Sequence, residues 1–153
     1  MKNIYPIRLD KLSLTNLQNV LPVLVEGFNA CEIEYYLIGA LARDLYMTGL
    51  HDYSAPRRTK DIDFAVLVQD IDDYNRLMGH LINNGKFKQT DEPYRLRFSD
   101  GTLIDLLPFG AIETDNRTVR IGDRNVVELN VIGLKENFEF TVTFILVQYK
   151  YFN

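Results

Sequence analysis

Residues 61 to 68 read Asp-Ile-Asp-Phe-Ala-Val-Leu-Val, and this run constrains the chain more than any other. From Ile62 onward it is β-branched, aromatic and aliphatic apart from Asp63, which predicts a core strand over 62–68. Yet the run opens with two acids, directly after Arg57, Arg58 and Lys60. Side chains along a strand alternate faces, so Asp61 and Asp63 share one face while Ile62, Phe64, Val66 and Val68 take the other. Two carboxylates so close repel by up to about 4 kcal/mol at about 4 Å in an effective dielectric of about 20. Something positive must stand between them, or one must carry a proton.

The rest of the chain supplies partners for such a strand. Leu14, Leu17, Leu21, Leu24, Val25 and Phe28 recur at helical spacing within 9–31, with Pro22 expected to kink or split that helix. Tyr-Tyr-Leu-Ile-Gly at 35–39 predicts a short strand ending at a glycine, and Ala40 to Gly49 predicts a helix. The stretch from His51 to Arg58 reads as a loop. Ile71, Tyr74, Leu77, Met78, Leu81 and Ile82 fit one helical face, with Gly85 at the C-terminal cap. Strands follow at 86–90, 94–98 and 102–107, the last two joined at Ser99-Asp100-Gly101. A further hairpin spans 116–130 and turns at Gly122-Asp123. This order predicts an α+β fold, a mixed sheet flanked by helices, in a single domain over 1–153.

Composition narrows the function classes. A chain of 153 residues, 46% hydrophobic and 25% charged, is long enough to bury about 70% of its extended surface. A net charge of −4 gives no global attraction to nucleic acid or anionic membrane, which leaves Arg57, Arg58 and Lys60 as the local basic cluster. Cys31 is the one cysteine, so no internal disulfide forms. The first residues lack the apolar core of a signal peptide, and the apolar run 140–147 is too short to span a bilayer. A cytoplasmic protein with no membrane partner is the expectation.

A third acid sharpens the question. Asp105 stands between Ile104 and Leu106 inside another apolar strand, where both propensity and burial disfavour it. If that strand lies beside 62–68, three carboxylates converge. Magnesium is the natural counter-ion, because it takes hard oxygen ligands, one or two carboxylates, and substrate phosphates. Three acids can hold two such ions, an arrangement that clamps the attacking and leaving oxygens of phosphoryl transfer. The alternative is local: Asp61 paired with Arg57 or Arg58, and Asp105 capping a turn. Gly39 adds a strand-to-helix turn, whose free N–H groups and lack of a side chain suit close approach by a phosphate.

Taken together, Ile38–Leu45, Arg57–Val68 and Gly101–Gly110 resemble the nucleotidyltransferase superfamily with the DNA-polymerase-β-like fold. The likeness is nearest to the AbiEii/AbiGii group, toxin-type proteins of toxin–antitoxin and phage-defence systems. The string Arg57-Arg58-Thr59-Lys60-Asp61-Ile62-Asp63-Phe64 is its most specific part, and it covers about residues 20 to 135. The resemblance implies transfer of an NMP from an NTP to an acceptor hydroxyl on RNA such as tRNA, on protein or on a small molecule. It implies that Asp61, Asp63 and Asp105 are catalytic and ligate two Mg2+ ions. It implies that Gly39, Ala40 and Arg43 meet the nucleotide, and that Arg57, Arg58 and Lys60 either steer the triphosphate or neutralise the acids. An antitoxin protein is the further partner it suggests.

Two departures are visible. Ala40 stands where the family often has glycine, serine or threonine, so a hydroxyl contact to the phosphates is lost, and the family's C-terminal helical region has no evident match. The second expectation is therefore a catalytically inactive relative that binds a nucleotide or a protein. His51 lies in the loop before the acids, and His80 is expected to face solvent. Two scattered histidines do not make a zinc site. Arg95 and Arg97 share one strand face, with a half-exposed strand as the favoured reading and contact with the carboxylates as the sharper one.

Overall fold

The computed structural model describes residues 15–43 and 61–136. Helix α1 (Thr15–Ala30) leads into strand β1 (Tyr35–Ile38), then β2 (Asp61–Leu67) and helix α2 (Ile71–Asn83). Strands β3 (Phe87–Gln89), β4 (Arg95–Phe98), β5 (Leu103–Phe109), β6 (Thr118–Ile121) and β7 (Val127–Asn130) follow. The first five strands form one sheet in the order β1-β2-β5-β4-β3, and β6 pairs with β7 separately. The β2–β5 pair is parallel and the other pairs are antiparallel, so the sheet is mixed and the class is α+β, as the element order predicts.

Alternation in β2 decides which face the helices cover. The Phe28 ring of α1 stacks on Tyr35 at 4.4 Å and meets the edge of Phe64 at 5.6 Å. The Ile62–Phe64–Val66 face is thus the core face, fully shielded, and the Asp61–Asp63 face is turned away from α1. Val20, Leu21, Leu24, Val25 and Phe28 are all buried, and this continuous face carries α1 unbroken through Pro22. The expected split does not occur, because the packing outweighs the one backbone hydrogen bond that proline removes. The expected beginning of this helix at 9–14 lies outside the described residues.

Helix α2 is set at both ends. The Asp70 carboxylate accepts from the Asp73 N–H at 2.8 Å, and Asp72 and Asp73 place negative charge in the first turn. Gly85, at φ 80°, follows the cap residue Asn84, and its N–H donates to the Ile82 carbonyl at 3.1 Å. Tyr74, Leu77, Met78 and Leu81 are buried between the sheet and α1. The two helices cross closely at Gly27, where a Cβ would stand 2.5 Å from a Leu81 methyl carbon.

The strand from 62 to 68 begins one residue earlier than expected, so both acids lie within β2 itself. The turn at 99–101 closes as predicted, with the Phe98 N–H donating to the Thr102 carbonyl at 2.8 Å. The hairpin over 116–130 appears as β6 and β7. Its buried Val119 and Ile121 join the core, and the Tyr36 hydroxyl donates to the Leu134 carbonyl just beyond it.

One buried bond ties α2 to the strand that carries Asp105. The Tyr74 hydroxyl donates to the Leu106 carbonyl at 2.8 Å in the fully buried interior. Tyr74→Phe keeps the ring and leaves that carbonyl one donor short. We expect a loss of about 1–3 kcal/mol, read as a lower urea midpoint with an unchanged slope.

Candidate functional site

Register, rather than sequence distance, assembles the site. Asp63 on β2 stands directly opposite Asp105 on β5, and Asp105 stands directly opposite Arg95 on β4. Ile38 on β1 pairs with Asp63 from the other side. One row across four strands therefore reads Ile38, Asp63, Asp105, Arg95. The neighbouring row on the same face reads Asp61, Leu103, Arg97, Lys88. The three acids do share one face of adjacent strands, so the placement of Asp105 beside 62–68 is as the sequence suggests.

The Arg95 side chain faces the acids. Its Nε donates to Oδ1 of Asp105 at 2.7 Å and its Nη2 donates to Oδ2 at 3.0 Å. This is the two-pronged geometry in which a guanidinium fits a carboxylate best. Asp105 is only 8% exposed, so its charge is met by a partner rather than by water. The favoured expectation of a plain half-exposed strand is thus incomplete: Arg97 is exposed, but Arg95 is part of the site. Sequence could place both arginines on one face, and only the β4–β5 register shows which of them meets an acid.

Asp63 carries the electrostatic strain. Its pKa is pushed up to about 6, first by burial, then by the charges of Asp105 and Asp61, and by a hydrogen bond with Asp105. Arg95 opposes the shift. Among the described residues three acids share this face with one guanidinium in contact, and burial beside like charges makes the charged form of Asp63 costly.

Gly39 has a local purpose within the site. It sits at φ 75°, at the head of a helical stretch over 39–43, and a Cβ there would lie 2.4 Å from Oδ2 of Asp63. The open space beside this glycine receives the Asp63 carboxylate. Ala40 is half-buried in the same turn and Arg43 is exposed at the end of the described stretch. Arg57, Arg58, Thr59, Lys60 and His51 lie outside the described residues, as does the remainder of the helix predicted to Gly49. His80 is exposed on α2, as expected.

The donor chemistry fits a hard divalent cation. Asp61 and Asp63 offer carboxylate oxygens two residues apart on one face, and one or two carboxylates are the usual protein share of a magnesium shell. The fit is a two-carboxylate one. Among the described residues, no three His, Cys, Asp or Glu side chains are grouped so as to hold a metal ion. Both oxygens of Asp105 are taken by Arg95, which keeps the third acid out of the set. A cleft of about 410 Å³ elsewhere, between α2, the 89–93 turn and the β6–β7 hairpin, includes none of the three acids in its lining.

No protein-family model matches the chain, and no curated protein does. Among solved structures the chain is similar to the lincosamide antibiotic adenylyltransferase LnuA with lincomycin bound, at 17% identity and a TM-score of 0.44, over 75% of this chain and 67% of that one. It is similar to the Thermotoga maritima CCA-adding enzyme complexed with tRNA, at 16% identity and a TM-score of 0.43, over 71% of this chain and 25% of that one. It is also similar to ANT(2'')-Ia in complex with adenylyl-2''-tobramycin, at 14% identity and a TM-score of 0.45, over 76% of this chain and 70% of that one. The chain thus spans a quarter of the CCA-adding enzyme's length.

The raised pKa of Asp63 fixes the sign of a stability effect. The folded protein holds this proton more tightly than the unfolded chain, so folding is favoured at low pH and weakened as pH rises from about 4 to about 6. Asp63→Asn keeps the shape and a donor toward Asp105 while removing the charge. Without divalent metal, we expect it to raise Tm by about 2–4 °C above pH 7, an effect of the order of 1 kcal/mol, and to leave Tm unchanged below pH 4. Gly39→Ala has the opposite sign. It combines a strained φ with a collision against Asp63, and should lower Tm more in the wild-type background than in Asp63→Gly.

Proposed function

We propose that this protein is a metal-dependent nucleotidyltransferase, moving an NMP from an NTP to an acceptor hydroxyl. The observation that carries the reading is the row in which Asp63 faces Asp105 across parallel strands, with Asp61 beside them on the same face. Like charges directly opposite each other weaken a sheet, and their gathering at one point is the mark of a site built to receive a cation or move a proton. The sequence strings around Gly39, Asp61 and Asp105 give the reading its reaction class.

In this mechanism the acceptor oxygen attacks the α-phosphorus of the NTP. The new O–P bond forms as the bond to the β-phosphate oxygen breaks, and pyrophosphate leaves. The acceptor proton would pass to the Asp105 carboxylate, which stands across from Asp63 on the neighbouring strand. Asp61 and Asp63 would hold Mg2+, and Asp105 would join them for a second ion. Bound there, magnesium supplies charge neutralisation for the triphosphate and the leaving group. The turn at Gly39 and Ala40 offers backbone N–H groups toward phosphate, and Arg43, Arg57, Arg58 and Lys60 supply cations for it. The motif resemblance adds a finer reading, in which the protein is a cytoplasmic toxin component held by an antitoxin protein.

A second reading has its own support. Arg95 fills both oxygens of Asp105, and Ala40 lacks a hydroxyl to offer a phosphate. Both fit a relative that binds a nucleotide or a protein and transfers nothing.

Calorimetric titration of each NTP, with magnesium and then with EDTA, tests the shared premise. Magnesium-dependent binding of one NTP is expected. Acceptor trials with labelled NTP then begin with tRNA and with lincomycin and tobramycin. Transfer should fall by more than about 100-fold in Asp61→Ala and in Asp63→Ala while the melting curve stays cooperative. Transfer undiminished in either variant would remove the assignment. Metal-dependent binding with no transfer to any acceptor would favour the second reading.

A further inference from the structure

Asp105 has a partner that a metal-ligating role does not call for. Its two oxygens accept from Nε and Nη2 of Arg95 at 2.7 and 3.0 Å, and Asp63 stands directly opposite it on β2. Arg95 comes from β4, on the far side of β5 from the other acids, and the β4–β5 register sets it directly across from Asp105. Its guanidinium is further held 5.9 Å over the ring of Tyr94. Among the described residues the only ion pair that reaches the three acids is this one.

We infer that Arg95 is a built-in competitor for the divalent cation at Asp105, a positioning residue that keeps the third carboxylate closed until metal displaces the guanidinium. This rests on the metal-binding reading above and adds a residue to it. The geometry supports it in three ways. A side-on fork occupies both carboxylate oxygens together, so a cation cannot take Asp105 at full strength while the fork is in place. The two groups compete for the same oxygens, the guanidinium through N–H donors and the divalent cation through direct coordination. Arg95 also has somewhere to go: its side chain is 28% exposed, on a face of β4 where Arg97 already reaches solvent.

The consequence separates Arg95 from a residue that merely orients Asp105. An orienting residue, once removed, leaves a poorer metal site. A competitor, once removed, leaves a better one. Arg95→Gln deletes the charge and keeps a polar side chain of similar reach, and Arg95→Lys keeps the charge but loses the fork.

The test is titration of Mg2+ into the full chain by calorimetry, with Mn2+ as a second probe, on the wild type and both variants. Arg95→Gln should bind at least about tenfold more tightly than wild type, the loss of roughly one charge-assisted hydrogen bond from the competing state, with Arg95→Lys in between. In EDTA, Arg95→Gln should melt below wild type, because three carboxylates have lost their guanidinium, and saturating Mg2+ should close that gap. If Arg95→Gln does not fold, the wild type answers alone: the Nε–H NMR signal of Arg95 should be sharp and protected in EDTA and should lose that protection as Mg2+ is added.

Equal or weaker metal binding by Arg95→Gln, or an Nε–H signal that magnesium leaves in place, would overturn the inference while the metal site stands. No saturable metal binding by wild type or either variant would overturn the metal reading itself, and this inference with it.

Discussion

Everything distinctive in this fold depends on one parallel pairing, β2 with β5, in the register that sets Asp63 against Asp105. A slip of one residue would move the acids to opposite faces and turn the apolar side chains of β5 away from the core. The register is fixed by the other face. Ile62, Phe64 and Val66 on β2 and Ile104 and Leu106 on β5 are all buried under the helices. Hydrophobic packing on one side of the sheet thereby compels a charge conflict on the other.

That conflict is distributed rather than removed. Arg95 pairs with Asp105, while burial, followed by the charges of Asp105 and Asp61, raises the pKa of Asp63 against the opposing pull of Arg95. Gly39 belongs to the same economy of space: with a side chain at that turn, the Asp63 carboxylate would have no room against the helix that begins there. Proteins that keep ionisable groups in such surroundings commonly trade stability for activity.

Much of this was readable from the chain, and the residues show where reading stopped. Alternation alone put Asp61 and Asp63 on one face, and an acid between Ile104 and Leu106 announced itself against strand propensity. The α2 boundaries followed from Asp70 and Gly85, whose chemistry acts within a few residues. The helix runs unbroken through Pro22 because the face from Val20 to Phe28 is buried, a packing contribution that the local sequence does not display. Arg95 was ambiguous for a different reason. Arg95 and Arg97 are equivalent in alternation, and only the pairing of β4 with β5 makes one the partner of Asp105 and leaves the other opposite Leu103. The missing side chain of Gly39 is legible in the sequence, whereas its closeness to the Asp63 carboxylate, from a strand more than twenty residues away, comes only from the fold.

The sheet face carries a second pattern that follows from the same register. Moving across it from β2 to β3, the rows run from Asp61 and Asp63 through Asp105 to Arg95, Arg97 and Lys88. Arg97 and Lys88 stand directly opposite each other, a like-charge pair that mirrors the acids and weakens this edge of the sheet. Negative charge is therefore concentrated at the centre of the sheet, where burial magnifies it, and positive charge at its edge, where water screens it. An asymmetry of that kind gives the two clusters different uses. The central acids interact strongly with whatever small cation or proton they hold, while the edge cations act weakly and at a distance. Arg95 stands at the boundary between the two, half-buried, and among the described residues it is the guanidinium placed to answer to both.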